Sequence, residues 1–145
     1  MKAIRVITNK DELEGTGYIE VLPGSYKNQC WNEGSLFFEE EVFGYLEPLI
    51  ERHEPTYDHY AFTEIEKKQW VAIADDLDAL HSLLTSRVEV AELQNHIGFI
   101  FKGTAEHFAE NFEPNKAALA LLIAEFSGWI RAKLKEHSAM TILGM

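Results

Sequence analysis

Two long stretches carry apolar residues at helical spacing, and they constrain the fold of this chain more than any other feature. In the first, Trp70, Ile73, Ala74, Leu77, Leu80, His81 and Leu84 fall on one face, the pattern of a helix with a single buried stripe. Thr63 and Glu66 stand ahead of it and read as a capping box, in which each side chain satisfies a free amide of the other's turn. In the second, Pro114-Asn115 opens the last and longest helix, with Leu119, Leu122, Ile123, Phe126, Ile130 and Leu134 along its face. Lys133, Lys135 and His137 occupy its final turns, where the helix dipole favours cations.

The intervening segments supply strands and shorter helices. Ala3 to Thr8 and Tyr18 to Leu22 are rich in β-branched and apolar residues and predict two strands, the second ended by the Pro23-Gly24 turn signal. Residues 24–35 have no period and form the longest irregular stretch, and Leu36-Phe37-Phe38 reads as a short strand. Glu39 to His53 is helical by the recurrence of Val42, Phe43, Leu46, Leu49, Ile50 and His53, with Pro48 expected to kink or split it. Tyr57 to Thr63 reads as a strand or an extended link. Val88 to Phe101 fits either a short helix through Val90, Leu93 and Ile97 or a buried strand through IGFIF. Thr104 is expected to cap a short helix carrying Phe108 and Phe112, and the apolar tail MTILGM to pack as a strand. No internal repeat, low-complexity segment or inter-domain linker interrupts the chain. The expected fold is α+β, one domain over residues 1–145, mainly helical, with three or four main helices. Its small sheet would be made of the N-terminal strands and the C-terminal tail.

Composition narrows the functional classes. A chain of 145 residues, 46% hydrophobic, is able to bury a real core. No apolar run approaches the roughly 20 residues of a membrane span. The opening MKAIRVITNKDE has no apolar stretch ending in small residues, so no signal peptide is expected. A single cysteine, Cys30, excludes an internal disulfide and suits a reducing compartment. A cytoplasmic location is the expectation.

Charge is the most uneven property. The formal net charge is −11, and residues 33–59 hold Glu33, Glu39, Glu40, Glu41, Glu47, Glu51, Glu54 and Asp58 against Arg52 alone. Nucleic-acid binding depends on Lys and Arg displacing phosphate counterions, so direct DNA or RNA contact is not expected. The same field attracts basic proteins and speeds their association.

Reactive constellations are sparse. His53, Glu54, Asp58 and His59 could offer metal ligands, but Pro55 separates the pairs and neither has the helical i, i+4 spacing of a two-histidine zinc site. Asp78 and His81 stand one helical turn apart, yet no second such motif completes a di-metal centre. Cys30 has no partner cysteine, and Gly15-Thr16-Gly17 precedes a strand instead of opening a helix. No nucleophile elbow, H-E-x-x-H or kinase signature occurs. No catalytic, cofactor-binding or metal-binding residues are expected, and no cofactor.

A binding surface remains. Trp31, Glu33, Glu39, Glu40 and Glu41 lie close in sequence, and Tyr57, Asp58, His59 and Tyr60 follow the proline-broken helix. Aromatic anchors ringed by acids suit a basic partner. The competing reading makes Trp31, Tyr57 and Tyr60 core residues and the glutamates a solvated face.

The stretch WNEGSLFFEEEVFGYLEPLIERHEPTYDHYAFTEIEKKQW, from Trp31 to Trp70, resembles in its acidic, aromatic-rich character the small immunity proteins encoded beside bacterial toxins, such as those of contact-dependent inhibition systems. The resemblance implies a cytosolic, non-enzymatic inhibitor that binds one cognate toxin domain, often a basic nuclease, and blocks its active site or substrate surface. It assigns no contact residues. Two other readings are a metal-dependent enzyme or regulator built on His53, His59, Asp78 and His81, and a homo-oligomeric domain pairing through residues 139–145.

Overall fold

A computed structural model describes residues 3–145, with Lys102 described by its backbone alone. Four antiparallel strands form its sheet: β1 (Tyr18–Pro23), β2 (Leu36–Glu39), β3 (Phe62–Glu66) and β4 (Ala139–Leu143), in the order β2-β1-β4-β3. Six α-helices accompany it among the described residues: α1 (Glu40–Gly44), α2 (Glu47–His53), α3 (Lys67–Leu84), α4 (Val90–Leu93), α5 (Lys102–Glu110) and α6 (Phe112–Lys133). The fold is α+β, as the residue patterns imply.

One face of the sheet presents Ile19, Val21, Leu36, Phe38, Ile65, Met140 and Ile142 to the main core. The apolar stripes of α3 and α6 close that core, with Trp70, Leu77, Ile123 and Phe126 fully buried. The indole of Trp70 donates to the Met140 carbonyl at 3.1 Å, so the one polar atom of this large side chain is satisfied in the interior. Asp78 on α3 accepts hydrogen bonds from Ser127 and Arg131 on α6 at 2.6 and 2.7 Å, tying the two helices on their solvent side.

The opposite face is covered too. Glu20, Leu22, Phe37 and Leu143 are buried there although strand alternation turns them away from the helices. The irregular segment 24–35 lies over them, held by Thr141 Oγ1 donating to the Gly24 carbonyl at 2.9 Å and by four hydrogen bonds to Glu20. β1 is therefore buried on both sides and lacks the polar–apolar alternation of a half-exposed strand.

The structure corrects several expectations. Ala3 to Thr8 is not a strand; Ile7 alone forms a bridge, to Phe37, and so covers the outer edge of β2. Thr63 and Glu66 do not form a capping box, because pairing with β4 draws both into β3, and α3 starts at Lys67 without a side-chain cap. The segment Tyr57 to Thr63 is a turn-rich link that becomes β3 only at Phe62. Of the two readings of Val88 to Phe101, the short helix forms, as α4, and Ile97 to Phe101 is not a strand. Thr104 lies inside α5, not at its cap, and Phe112 opens α6 instead of continuing α5. Pro48 does split its helix: α1 ends before Tyr45, and α2 takes the proline in its first turn, where no amide hydrogen is needed. The C-terminal tail forms a central strand, β4, with Met140 to Leu143 buried, while Met145 beyond it is exposed.

Candidate functional site

The broken helix and the turn-rich link meet at one end of the sheet. Glu40 opens α1, Glu47 opens α2, and both aim their carboxylates at His59 in the link. His59 Nδ1 is 2.7 Å from Glu47 Oε2, and Nε2 is 2.7 Å from Glu40 Oε1. A carboxylate only accepts, so a carboxylate at each ring nitrogen favours the doubly protonated imidazolium, which donates to both. Burial works against that charge, but the hydrogen bonds to Glu40 and Glu47 outweigh it and raise the His59 pKa above its ordinary value. Tyr57 donates to the same Glu47 oxygen at 2.6 Å. Burial and the adjacent Glu47 carboxylate push the Tyr57 phenol far above its ordinary range.

This cluster anchors what surrounds it. The carbonyls of His59 and Ala61 accept from the amides of Met145 and Gly144 at 2.8 and 3.0 Å, which extends the β3–β4 pairing to the end of the chain. Gly144 has to be glycine, since a Cβ there would run into both carbonyls. Asp58 accepts from the Tyr60 amide at 2.8 Å and turns the Tyr60 ring outward over the edge of the His59 ring, with centroids 4.8 Å apart. Tyr60 is 73% exposed. Phe62, at the start of β3, is also exposed and packs its outer face against Tyr26 from the 24–35 segment at 4.9 Å between centroids. Tyr26, Tyr60, Phe62 and Met145 thus gather at the β3 edge, with Asp58, Glu64 and Glu66 exposed among them.

The residues singled out in the sequence divide into three groups. Asp58 and Tyr60 belong to this exposed edge, and Glu40 supports it from within. Tyr57 is buried with its hydroxyl turned inward to Glu47, so it takes no part in a surface. Trp31 and Glu33 sit in the segment over Glu20, on the same sheet face as Phe62 but against β1, away from the β3 edge. The Trp31 ring is half-buried edge-on to Tyr18, and Glu33 pairs with Lys10 at 3.5 Å. Glu39 stands opposite Tyr18 on β2 and is half-buried. Glu41 turns toward a hollow lined by Phe101, Thr104 and His107, where its charge, after burial, helps raise the Tyr45 pKa to about 12. Tyr26, an aromatic of the irregular stretch that the sequence leaves either folded back or displayed, is displayed. Glu66, expected as a capping residue, is an exposed strand residue, and Phe62 and Glu64 are not among the residues singled out in the sequence. The alternation in Phe62–Glu66 is the local signal that could have found them.

The metal readings do not assemble. His53 pairs with Asp76 on α3, joined there by Arg52, while His59 is enclosed by Glu40 and Glu47. Asp78 is taken by Ser127 and Arg131; the Ser127 hydrogen bond, then Arg131, hold its carboxyl below the ordinary value despite partial burial. Among the described residues no group of three or more His, Cys, Asp or Glu side chains is arranged to hold an ion. Burial and the Glu20 charge push the Cys30 thiol up, the wrong direction for a reactive thiolate. A cavity of about 410 Å³ between α2, α3 and α4 is lined by Arg52, Asp76, Glu92 and His96 over an apolar floor. Among the described residues no helix is long and apolar enough to cross a membrane.

No family model matches this chain, and no curated protein or solved structure is significantly similar to it.

Proposed function

We propose that this chain is a non-catalytic protein-binding inhibitor of the immunity type, which neutralises a basic, nuclease-like toxin domain. The observation that carries the reading is the gathering of exposed Tyr26, Tyr60 and Phe62 among Asp58, Glu64 and Glu66 at one sheet edge. Scattered exposed apolar residues are normal on a protein surface, but a group of aromatic residues with Asp58, Glu64 and Glu66 exposed among them, bounded by Lys27 and Lys67, suits a partner that sets cations against those acids. Tyrosine and phenylalanine anchors supply desolvated contact area, and the acids steer the encounter. The net charge of −11 adds a long-range attraction for a cationic domain, which would otherwise hold phosphates.

The test is affinity capture from the source organism with the intact chain and with a variant carrying Asp58→Lys and Tyr60→Ala. The expected result is one basic domain retained in stoichiometric amount by the native chain and lost by the variant. Its association rate should fall as salt shortens the screening length to about 10 Å at 0.1 M. A partner held equally by both chains, or an association rate indifferent to salt, would overturn the reading.

A further inference from the structure

The two edges of the sheet are not alike. At the β2 edge, Ile7 exchanges both main-chain hydrogen bonds with Phe37 at 2.8 Å and closes the strand. At the β3 edge no such cover exists among the described residues. Gly144 donates to the Ala61 carbonyl and Lys67 to the Ser138 carbonyl, which fixes the phase of the antiparallel ladder. Residues 61, 63, 65 and 67 point their main-chain groups at β4, so Phe62 and Glu64 point theirs away from it. Among the described residues neither amide nor carbonyl of Phe62 and Glu64 has a partner outside the strand.

We propose that β3 is a docking edge, and that a basic extended segment of the partner adds to it as a fifth, hydrogen-bonded strand. The inference rests on the binder reading above and assigns the partner's mode of attachment. The residues with outward main-chain groups are also those with exposed side chains, so an added strand meets Phe62, Glu64 and Glu66 directly. Cross-strand neighbours of opposite charge stabilise and like charges repel. The fitting segment therefore alternates, with an apolar residue beside Phe62 and Tyr26 and then lysine or arginine beside Glu64 and Glu66. Lys67 and Lys68 follow at once and end the acidic run. A second copy of this chain does not fit. Antiparallel pairing over the whole strand would set Glu64 against Glu64 and join two bodies of charge −11.

A short peptide alternating lysine with valine and tyrosine is the probe, read by amide exchange and chemical shifts on the full chain. Binding should protect the Phe62 and Glu64 amides and leave those of Thr63 and Ile65, already in the ladder, unchanged. Glu64→Lys should weaken the peptide roughly tenfold. Glu64→Pro removes an outward amide without touching the β4 ladder, and it should abolish protection at Phe62 while the far-ultraviolet spectrum stays native. A peptide of the same pattern with glutamate for lysine should not bind. Peptide that shifts Asp58 and Tyr60 without protecting Phe62 and Glu64 would overturn edge docking and leave the binder reading intact. Absence of binding would also overturn edge docking; the captured partner of the preceding section then decides the broader reading separately.

Discussion

His59 Nδ1 lies 2.7 Å from a Glu47 oxygen that already accepts the Tyr57 hydroxyl, and the two residues belong to segments with no secondary structure in common. Through that contact the first turn of α2 holds the link that leads into β3. The exposed edge is thus supported by a buried charge cluster made of side chains from α1, α2 and the link.

The cluster gives folding stability a defined pH dependence. The His59 pKa is raised in the folded chain, so its contribution is complete below the unfolded value near 6.5 and is lost as pH rises through the folded value. His59→Gln leaves Glu40 and Glu47 facing each other without the intervening cation. It should cost about 3 kcal/mol at about pH 6, and the difference from native should shrink toward about pH 9. Urea unfolding at both pH values checks this. A deficit independent of pH would show that packing, not charge, holds the ring in place.

Tyr57→Phe removes one donor from Glu47 and leaves the ring volume unchanged. The expected cost is about 2 kcal/mol, because a buried carboxylate loses a hydrogen bond it cannot replace with water. Partner capture should be unaffected, since Tyr57 is not on the surface. Paired unfolding and capture measurements separate the two effects.

Glu20 accepts from the Trp31 and Asn32 amides, the Asn32 side chain and the Ser35 hydroxyl. Trp31 sits at φ 65°, a conformation unfavourable for a non-glycine residue, and the hydrogen bond its main-chain N–H donates to the Glu20 carboxylate holds it there. Glu20→Ala should release segment 29–35 and raise hydrogen exchange at Trp31 and Asn32 by a factor on the order of 10 or more. Exchange in α3 should change little. Uniform loss of protection across the chain would instead make Glu20 a determinant of global stability.

Gly98 packs on the corner between α1 and α2. A Cβ there would lie 2.7 Å from Pro48 Cγ and 2.8 Å from the Gly44 carbonyl. Gly98→Ala should cost about 1–3 kcal/mol by overpacking. Because that corner aims Glu47 at His59, the variant should also reduce the pH dependence described above. Unchanged stability would mean that residues 94–101 move aside freely.

Elements with a strong local period were legible in the chain. The stripes from Trp70 to Leu84 and Leu119 to Ile130 lie on α3 and α6, and the apolar tail is β4. Elements whose state depends on a distant partner were not. Thr63 and Glu66 match a helix start by type and spacing, but pairing with β4 more than seventy residues away makes them strand. Ala3 to Thr8 has strand composition and lacks a neighbour along most of its length. Tyr57 and Tyr60 are three residues apart in an aperiodic link; one is buried against Glu47 and the other is 73% exposed.

The sequence by itself determined the two long helices and the proline-split one, three of the four strands, the acidic character of residues 33–59 and the α+β class. Each of these follows from residue types within a turn or two of one another. Only the tertiary structure decided which aromatics face solvent, which carboxylates enclose His59 and which sheet edge stays open. Those outcomes depend on contacts between segments far apart in the chain, where hydrogen bonding and burial override local preference.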